Sequence, residues 1–210
     1  MIPDELESGF SRFRSELYPR QKKLFEELSS KGQKPHTLVI GCCDSRVDPS
    51  QIFDARPGEL FVVRNVANLV PPFEDDGGFH GVSAALEFAV TVLKVTNVLV
   101  LGHKQCGGVH ACADGHSETD SQFLGHWISA LRPALVEVHQ ELGEGTPTDT
   151  LAEALELHGI RHSIERLKTY PFIQTALAAG NLALHGARFG IAEGHLEWMS
   201  EDGRFSPVRI

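Results

Sequence analysis

The segment Thr37-Leu38-Val39-Ile40-Gly41-Cys42-Cys43-Asp44-Ser45-Arg46 decides the fold, read together with Asn97-Val98-Leu99-Val100-Leu101-Gly102-His103-Lys104-Gln105-Cys106-Gly107-Gly108. Each is a β-branched and Leu-rich run that stops abruptly at metal-type ligands, the pattern of a strand buried on both faces of a parallel sheet. Sites in open parallel sheets form where strands reach their carboxyl edge. Two neighbouring strands would therefore deliver Cys42, His103 and Cys106 to one place. Two thiolates and an imidazole suit zinc, and three protein ligands leave a fourth position for water, as in a catalytic rather than a closed structural site. A lone strand-end cysteine is commonly just a small buried hydrophobe, so the reading rests on the two segments together.

Working outward, residues 8–30 read as an amphipathic helix. Phe10, Phe13 and Leu17 share one face; Leu24, Phe25 and Leu28 share another after a break at Tyr18-Pro19. Such an arm must cover something, either its own domain or a second subunit. Strands are expected at 37–42, at 60–63 ending at Arg64-Asn65, and at 97–102. Between them lie a loop at 44–58 with a short helical turn, a long loop at 67–78, and a helix at 79–94 carrying Val82, Leu86, Ala89 and Leu93 on one face. That order calls for right-handed crossovers. A polar patch follows at 114–121, then a helix at 122–131 (Leu124, Trp127, Ile128, Leu131) that Pro133 kinks or ends. After a loop at 142–149 comes a helix at 150–168, with Ala154, Leu157, Ile164 and Leu167 on one face. Pro171 opens a short helix to Ala179 that Gly180 caps. Residues 181–189 and 191–198 suggest a last strand or hairpin. The expectation is one α/β domain with a central, mostly parallel β-sheet flanked by helices. It divides into an N-terminal helical arm (1–32), a zinc-site core (33–110), a helical part (111–180) and a C-terminal strand or hairpin (181–198).

Composition narrows the function. The chain has 210 residues, 41% apolar and 22% charged, an ordinary globular mixture. Its net charge of −9 argues against nucleic acid or an anionic membrane surface as partner. Met1-Ile2-Pro3-Asp4-Glu5 has the wrong chemistry for a signal peptide, and no apolar run approaches a membrane span. The expected compartment is the reducing cytoplasm, where four cysteines are ligands or buried thiols rather than disulfides.

Asp44 and Arg46 sit beside Cys42. A carboxylate there can bind the metal as a fourth ligand and close the site, or it can pair with Arg46 and accept a hydrogen bond from a metal-bound water. Taken with these two, Cys42-Cys43-Asp44-Ser45-Arg46, Arg64-Asn65-Val66-Ala67-Asn68 and Gly102-His103-x-x-Cys106-Gly107-Gly108 resemble the β-class carbonic anhydrases, from about Phe10 to Trp198. The resemblance implies Cys42, His103 and Cys106 as zinc ligands, Asp44 as gate and hydrogen-bond acceptor, and Arg46 as its partner.

Finer features are similar to the plant-like subclass. Gln33, nine residues before Cys42, matches a substrate donor. Phe61, Val66 and Phe88 match apolar pocket positions, with Phe88 where plant enzymes often carry Tyr. Gly107 is placed in the pocket, and Gly107-Gly108 would permit close backbone approach near the metal. Of the bicarbonate-inhibition trio of the bacterial subclass only Arg64 matches; Val39 and Phe189 replace its Trp and Tyr, so that route is not expected here.

The activity implied is zinc-dependent, reversible hydration of carbon dioxide to bicarbonate and a proton, by attack of a zinc-bound hydroxide. Alternatives on the same residues are hydrolysis of carbon disulfide or carbonyl sulfide, and a non-catalytic structural zinc protein. The partners implied are the small substrate and a second copy of the chain, as a homodimer or an assembly of dimers, with Gln33, Phe61 and Phe88 reaching the neighbour's site. Cys43 and Cys112 read as incidental thiols. His80, His110, His116, His126, His139, His158, His162, His185 and His195 read as mostly surface or capping groups, with no proton carrier singled out.

Overall fold

In the computed structural model the described residues are 2–115 and 121–209. The polar patch expected at 114–121 therefore lies largely outside them, as does His116. The chain opens with helix α1 (Asp4–Arg12), a π-helical turn (Phe13–Leu17) and helix α2 (Tyr18–Lys31). The expected break at Tyr18-Pro19 is a bend instead. Pro19 falls in the first turn of α2, where its missing N–H costs nothing. Yet the rings of Phe13 and Phe25 lie 6.1 Å apart, although twelve residues of straight helix would rise about 18 Å. The axis therefore turns sharply at the π turn, a standard cause of kinks. No residue of α1, the π turn or α2 is buried.

Strand β1 (Thr37–Cys42) follows, then helix α3 (Pro49–Ile52), capped by the Asp48 carboxylate, and strand β2 (Leu60–Asn65). Helix α4 (Gly81–Glu87) continues into a π turn (Phe88–Leu93) and leads to strand β3 (Asn97–His103). Gly107-Gly108, expected only to allow close backbone approach, open helix α5 (Gly107–Ala113). Helix α6 (Leu124–Ile128) passes through a short 3-10 turn into helix α7 (Arg132–Leu142). Pro133 does not end the helical stretch; it sits in the first turn of α7 and starts a new helix, again because a first-turn N–H has no intrahelical partner. Helix α8 (Thr148–Leu167) and helix α9 (Pro171–Ala178) complete the helical part, and Gly180 takes the left-handed conformation (φ 68°) that stops α9. Strand β4 (Ala183–Gly190) and strand β5 (His195–Met199) form the expected hairpin, and strand β6 (Phe205–Pro207) extends it.

The six strands lie in the order β2-β1-β3-β4-β5-β6. The first four are mutually parallel, while β5 and β6 add antiparallel at one edge. Alternation along β1 and β3 sorts the core. Leu38, Ile40, Val98 and Val100 face Leu86 of α4, Ile160 and Ile164 of α8, Ile173 of α9 and Tyr170 just before it. Val39, Leu99, Leu101 and Ala187 face the other way, toward Ile52, Phe53 and Trp198. A third cluster gathers beyond the carboxyl edge of the sheet, where Val47, Leu69, Val109, Ile128, Leu131 and Leu155 surround Cys42 and Cys106. The site is thus rooted in packed core. His158, read as a surface residue, is buried, with its ring between the carboxylates of Glu137 and Glu141 on α7 at 3.2 Å each.

Candidate metal centre

Parallel pairing of β1 with β3 brings the two decisive segments together: Gly41 pairs with Leu101, so Cys42 and His103 end side by side. The Cys42 and Cys106 sulfurs are 3.9 Å apart. Both, with a His103 ring nitrogen, fall within 4.8 Å of one another, and all three residues are buried. The geometry fits zinc. Sulfurs about 2.3 Å from a tetrahedral ion lie about 3.8 Å from each other. His103 Nδ1 donates to the Lys104 carbonyl at 2.9 Å, leaving Nε2 as a bare lone pair. Among the described residues Nε2 is the one buried side-chain nitrogen or oxygen without a hydrogen-bond partner, an arrangement that costs stability unless a ligand fills it.

The two sulfurs are within hydrogen-bonding distance of each other. That contact draws the Cys42 thiol well below its usual range against the effect of burial, and with burial added pushes Cys106 up. A dication in the gap would favour two thiolates.

The turn from His103 to Cys106 needs an unusual backbone. Gln105 has φ 57°, left-handed for a residue with a Cβ, at a cost of about 1–2 kcal/mol. Its neighbours hold it there: Lys104 N donates to the Phe189 carbonyl at 2.9 Å, and Cys106 N to Glu156 Oε1 at 3.3 Å. The following glycines divide the expected role. A Cβ on Gly108 would lie 2.6 Å from Val66 Cγ1, so the close approach is there. Gly107 faces open space and lines a cavity of about 560 Å³ with Cys106, Lys104 and His110.

Asp44 is held by Arg46 through three bonds. Arg46 Nε and its backbone N–H donate to Oδ1 at 2.9 Å each, and Nη2 donates to Oδ2 at 2.7 Å. The Arg46 guanidinium keeps this carboxyl far below the usual carboxylate range. Oδ2 stands 3.9 Å from His103 Nε2, at the edge of the triad. Arg64 clamps the same loop from β2, donating to the Cys42 carbonyl at 2.8 Å, the Asp44 carbonyl at 2.6 Å and Asp48 Oδ2 at 3.3 Å. Asn65 exchanges side-chain bonds with the Leu69 backbone, and Trp127 Nε1 donates to the Val66 carbonyl at 2.8 Å. These ties fix Val66 and the left-handed Ala67 and Asn68 against the triad.

The expected substrate donor Gln33 and two expected pocket residues, Phe61 and Phe88, are not gathered by a single chain. Phe61 pairs with Leu38 while Asn65 pairs with Cys42, so Phe61 lies four residues, about 13 Å, down β2 from the site. Gln33 precedes β1, at the amino edge of the sheet, whereas the triad is at the carboxyl edge. Phe88 packs on Phe61 with ring centroids 5.8 Å apart and is 44% exposed. Sheet polarity separates them from their own chain's triad. Two residues that sequence reasoning passed over stand directly behind it: Glu156, a charged residue in the apolar face of α8, and Arg188 in β4, paired at 3.1 Å and both buried. The signal for Glu156 was its place between Leu155 and Ile160 on a core-facing helix.

Comparison with known proteins agrees with this geometry. A carbonic anhydrase family model matches residues 37–196. Beta carbonic anhydrase 3 of Arabidopsis thaliana is 35% identical over 208 residues, 98% of this chain and 80% of that protein. The structure of the β-carbonic anhydrase CcaA superposes with a TM-score of 0.86 at 31% identity, covering 97% of this chain and 98% of the other. A tetrameric β-carbonic anhydrase of Sordaria macrospora gives 0.79 at 26% identity, covering 98% of each. The converging sulfurs and ring nitrogen lie within the matched span, and the chain belongs to the β-class carbonic anhydrases.

Proposed function

We propose that this carbonic anhydrase reversibly hydrates carbon dioxide with a zinc ion held by Cys42, His103 and Cys106. The observation that carries the reading is the meeting of two buried sulfurs 3.9 Å apart with an unpartnered His103 Nε2. Zinc bound there would supply a Lewis acid that brings the pKa of water from about 16 to about 7. The chain's own groups do the rest. Asp44, kept charged and aimed by Arg46, accepts a hydrogen bond from water at the site's edge and so turns the oxygen lone pair toward substrate. Val66 and Gly107 border the site and suit an apolar, uncharged gas. Asp44 is held by three hydrogen bonds from Arg46, which supports the open, catalytic reading over one with Asp44 as a fourth ligand. Arg64 directs one N–H from each of its three side-chain nitrogens to the chain itself, which supports a site free of bicarbonate inhibition by that route.

The working unit in this reading is a homodimer or an assembly of dimers. Gln33, Phe61 and Phe88 complete the neighbour's pocket, Gln33 donating to a substrate oxygen as bicarbonate forms. The support is their distance from their own triad, together with an arm whose Phe10 and Leu17 are exposed. Four free cysteines support a reducing, cytoplasmic location; no helix among the described residues is long and apolar enough to cross a membrane. Metal analysis with a carbon dioxide hydration assay tests the proposal. Wild type should carry zinc and be active, and Cys106→Ser should lose both. An active, zinc-free wild type would overturn it.

A further inference from the structure

We propose that Glu156, held by Arg188, is a positioning residue for the metal turn: its carboxylate takes the Cys106 backbone N–H and so sets the Cys106 sulfur beside Cys42 and His103. The inference rests on the metal reading above. Cys106 follows the left-handed Gln105 and directly precedes α5. The amide there has no intrahelical partner, and Glu156 Oε1 accepts from it at 3.3 Å. Burial pushes this carboxyl up, while the Cys106 N–H and Arg188 favour its charged form.

Burying a carboxylate is costly unless it is paired. Here the pairing is built. Arg188 Nη1 donates to Glu156 Oε2 at 3.1 Å and to the Glu153 carbonyl at 3.3 Å, and Arg188 Nε donates to Glu197 Oε2 at 2.6 Å. The Glu156 and Arg188 side chains are only 4% and 5% exposed. Arg188 is itself fixed by register, opposite Glu197 on β5 and beside Gly102 on β3. Gly102 is the residue before His103. The register that places one ligand, His103, therefore also places the arginine that holds the carboxylate that holds the other, Cys106. The remaining ties of the turn act elsewhere: Lys104 N on the Phe189 carbonyl, and Arg46 Nη2 on the Gln105 carbonyl at 3.5 Å. Glu156 is the link that reaches the Cys106 amide.

The test compares Glu156→Ala with Glu156→Gln, which keeps an oxygen for the amide. Zinc affinity is read by competition with a chelator. Ligand geometry is read from the thiolate-to-metal absorption of cobalt-substituted protein. Glu156→Ala should bind zinc 10- to 100-fold more weakly, the range typical of groups that orient metal ligands, with a shifted cobalt spectrum. Glu156→Gln should recover most of the affinity and the wild-type spectrum. Glu156→Ala binding zinc as tightly as wild type, or Glu156→Gln as weak as Ala in a folded protein, overturns the proposal. Where Glu156→Ala does not fold, the cobalt spectrum of Glu156→Gln decides: wild-type bands support the proposal and shifted bands overturn it. A wild type that binds no zinc overturns the metal reading as well, whereas zinc-binding wild type with indifferent variants overturns only this inference.

Discussion

At the scale of single residues, the site depends on groups aimed by their neighbours. Asp44 shows this most clearly, because the Arg46 guanidinium takes both of its oxygens. Replacing it by Asn keeps the size and removes the charge. The expected outcome is a fall in hydration rate of about 10²–10⁴-fold, with zinc content unchanged; loss of the metal along with the rate would mean that Asp44 serves the fold. Its titration is a separate check. The hydrogen bonds from Arg46 depress the folded carboxyl well below the ordinary carboxylate value. Its contribution to stability is therefore present above that value and is lost only as pH falls through the lower folded one. Carboxyl-carbon NMR should show Asp44 ionised throughout any assay at neutral or mildly acidic pH, and a midpoint at or above the unperturbed value of about 3.9 would contradict the account. Gly108→Ala should destabilise by about 1–3 kcal/mol in urea unfolding, through overpacking against Val66. The convergence of Cys42, His103 and Cys106, with Asp44 and Arg46 beside them, was legible in the sequence because each residue ends or follows a short motif at a strand end. Glu156 and Arg188 were not, because their partnership spans 32 residues and is made by packing of α8 on the sheet rather than by any local pattern.

At the scale of elements, the strands that deliver the ligands were the easiest to foresee. Burial on both faces leaves β1 and β3 uniformly apolar, and that run is visible without a structure. The helices were harder wherever proline was involved. A proline that would disrupt a helix interior is harmless in a first turn, and the residue itself does not say which place it holds. Pro133 accordingly starts α7, whose Ala134 and Val138 are buried, and Pro19 sits within α2. Strand β6 is three residues long and pairs only with β5, too short to leave a period. Helix α8 carries the largest share of the packing behind the metal turn. Leu155 on it is fully buried in the cluster that contains Cys42 and Cys106. Leu155→Ala should cost about 2–5 kcal/mol in urea unfolding, and a cost near zero would show that this cluster does not support the site.

At the scale of the whole molecule, one chain brings Cys42, His103, Cys106 and Asp44 together but presents Gln33, Phe61 and Phe88 away from that cluster. The family resemblance assigns these three to the neighbour's site; the residues by themselves do not, since that depends on sheet polarity and on a second copy. On this account a diluted sample loses activity as it dissociates, and Phe88→Asp, which places a charge on an exposed apolar face, should yield monomers of low activity that still hold zinc. Full activity in a species of one-chain mass by light scattering would remove the need for a partner. All of this presumes that the residues meeting at the carboxyl edge grip one ion. X-ray absorption at the zinc edge of the loaded protein measures that directly. The account predicts two sulfur neighbours at about 2.3 Å with nitrogen and oxygen neighbours at about 2.0–2.2 Å; a first shell without sulfur would contradict it.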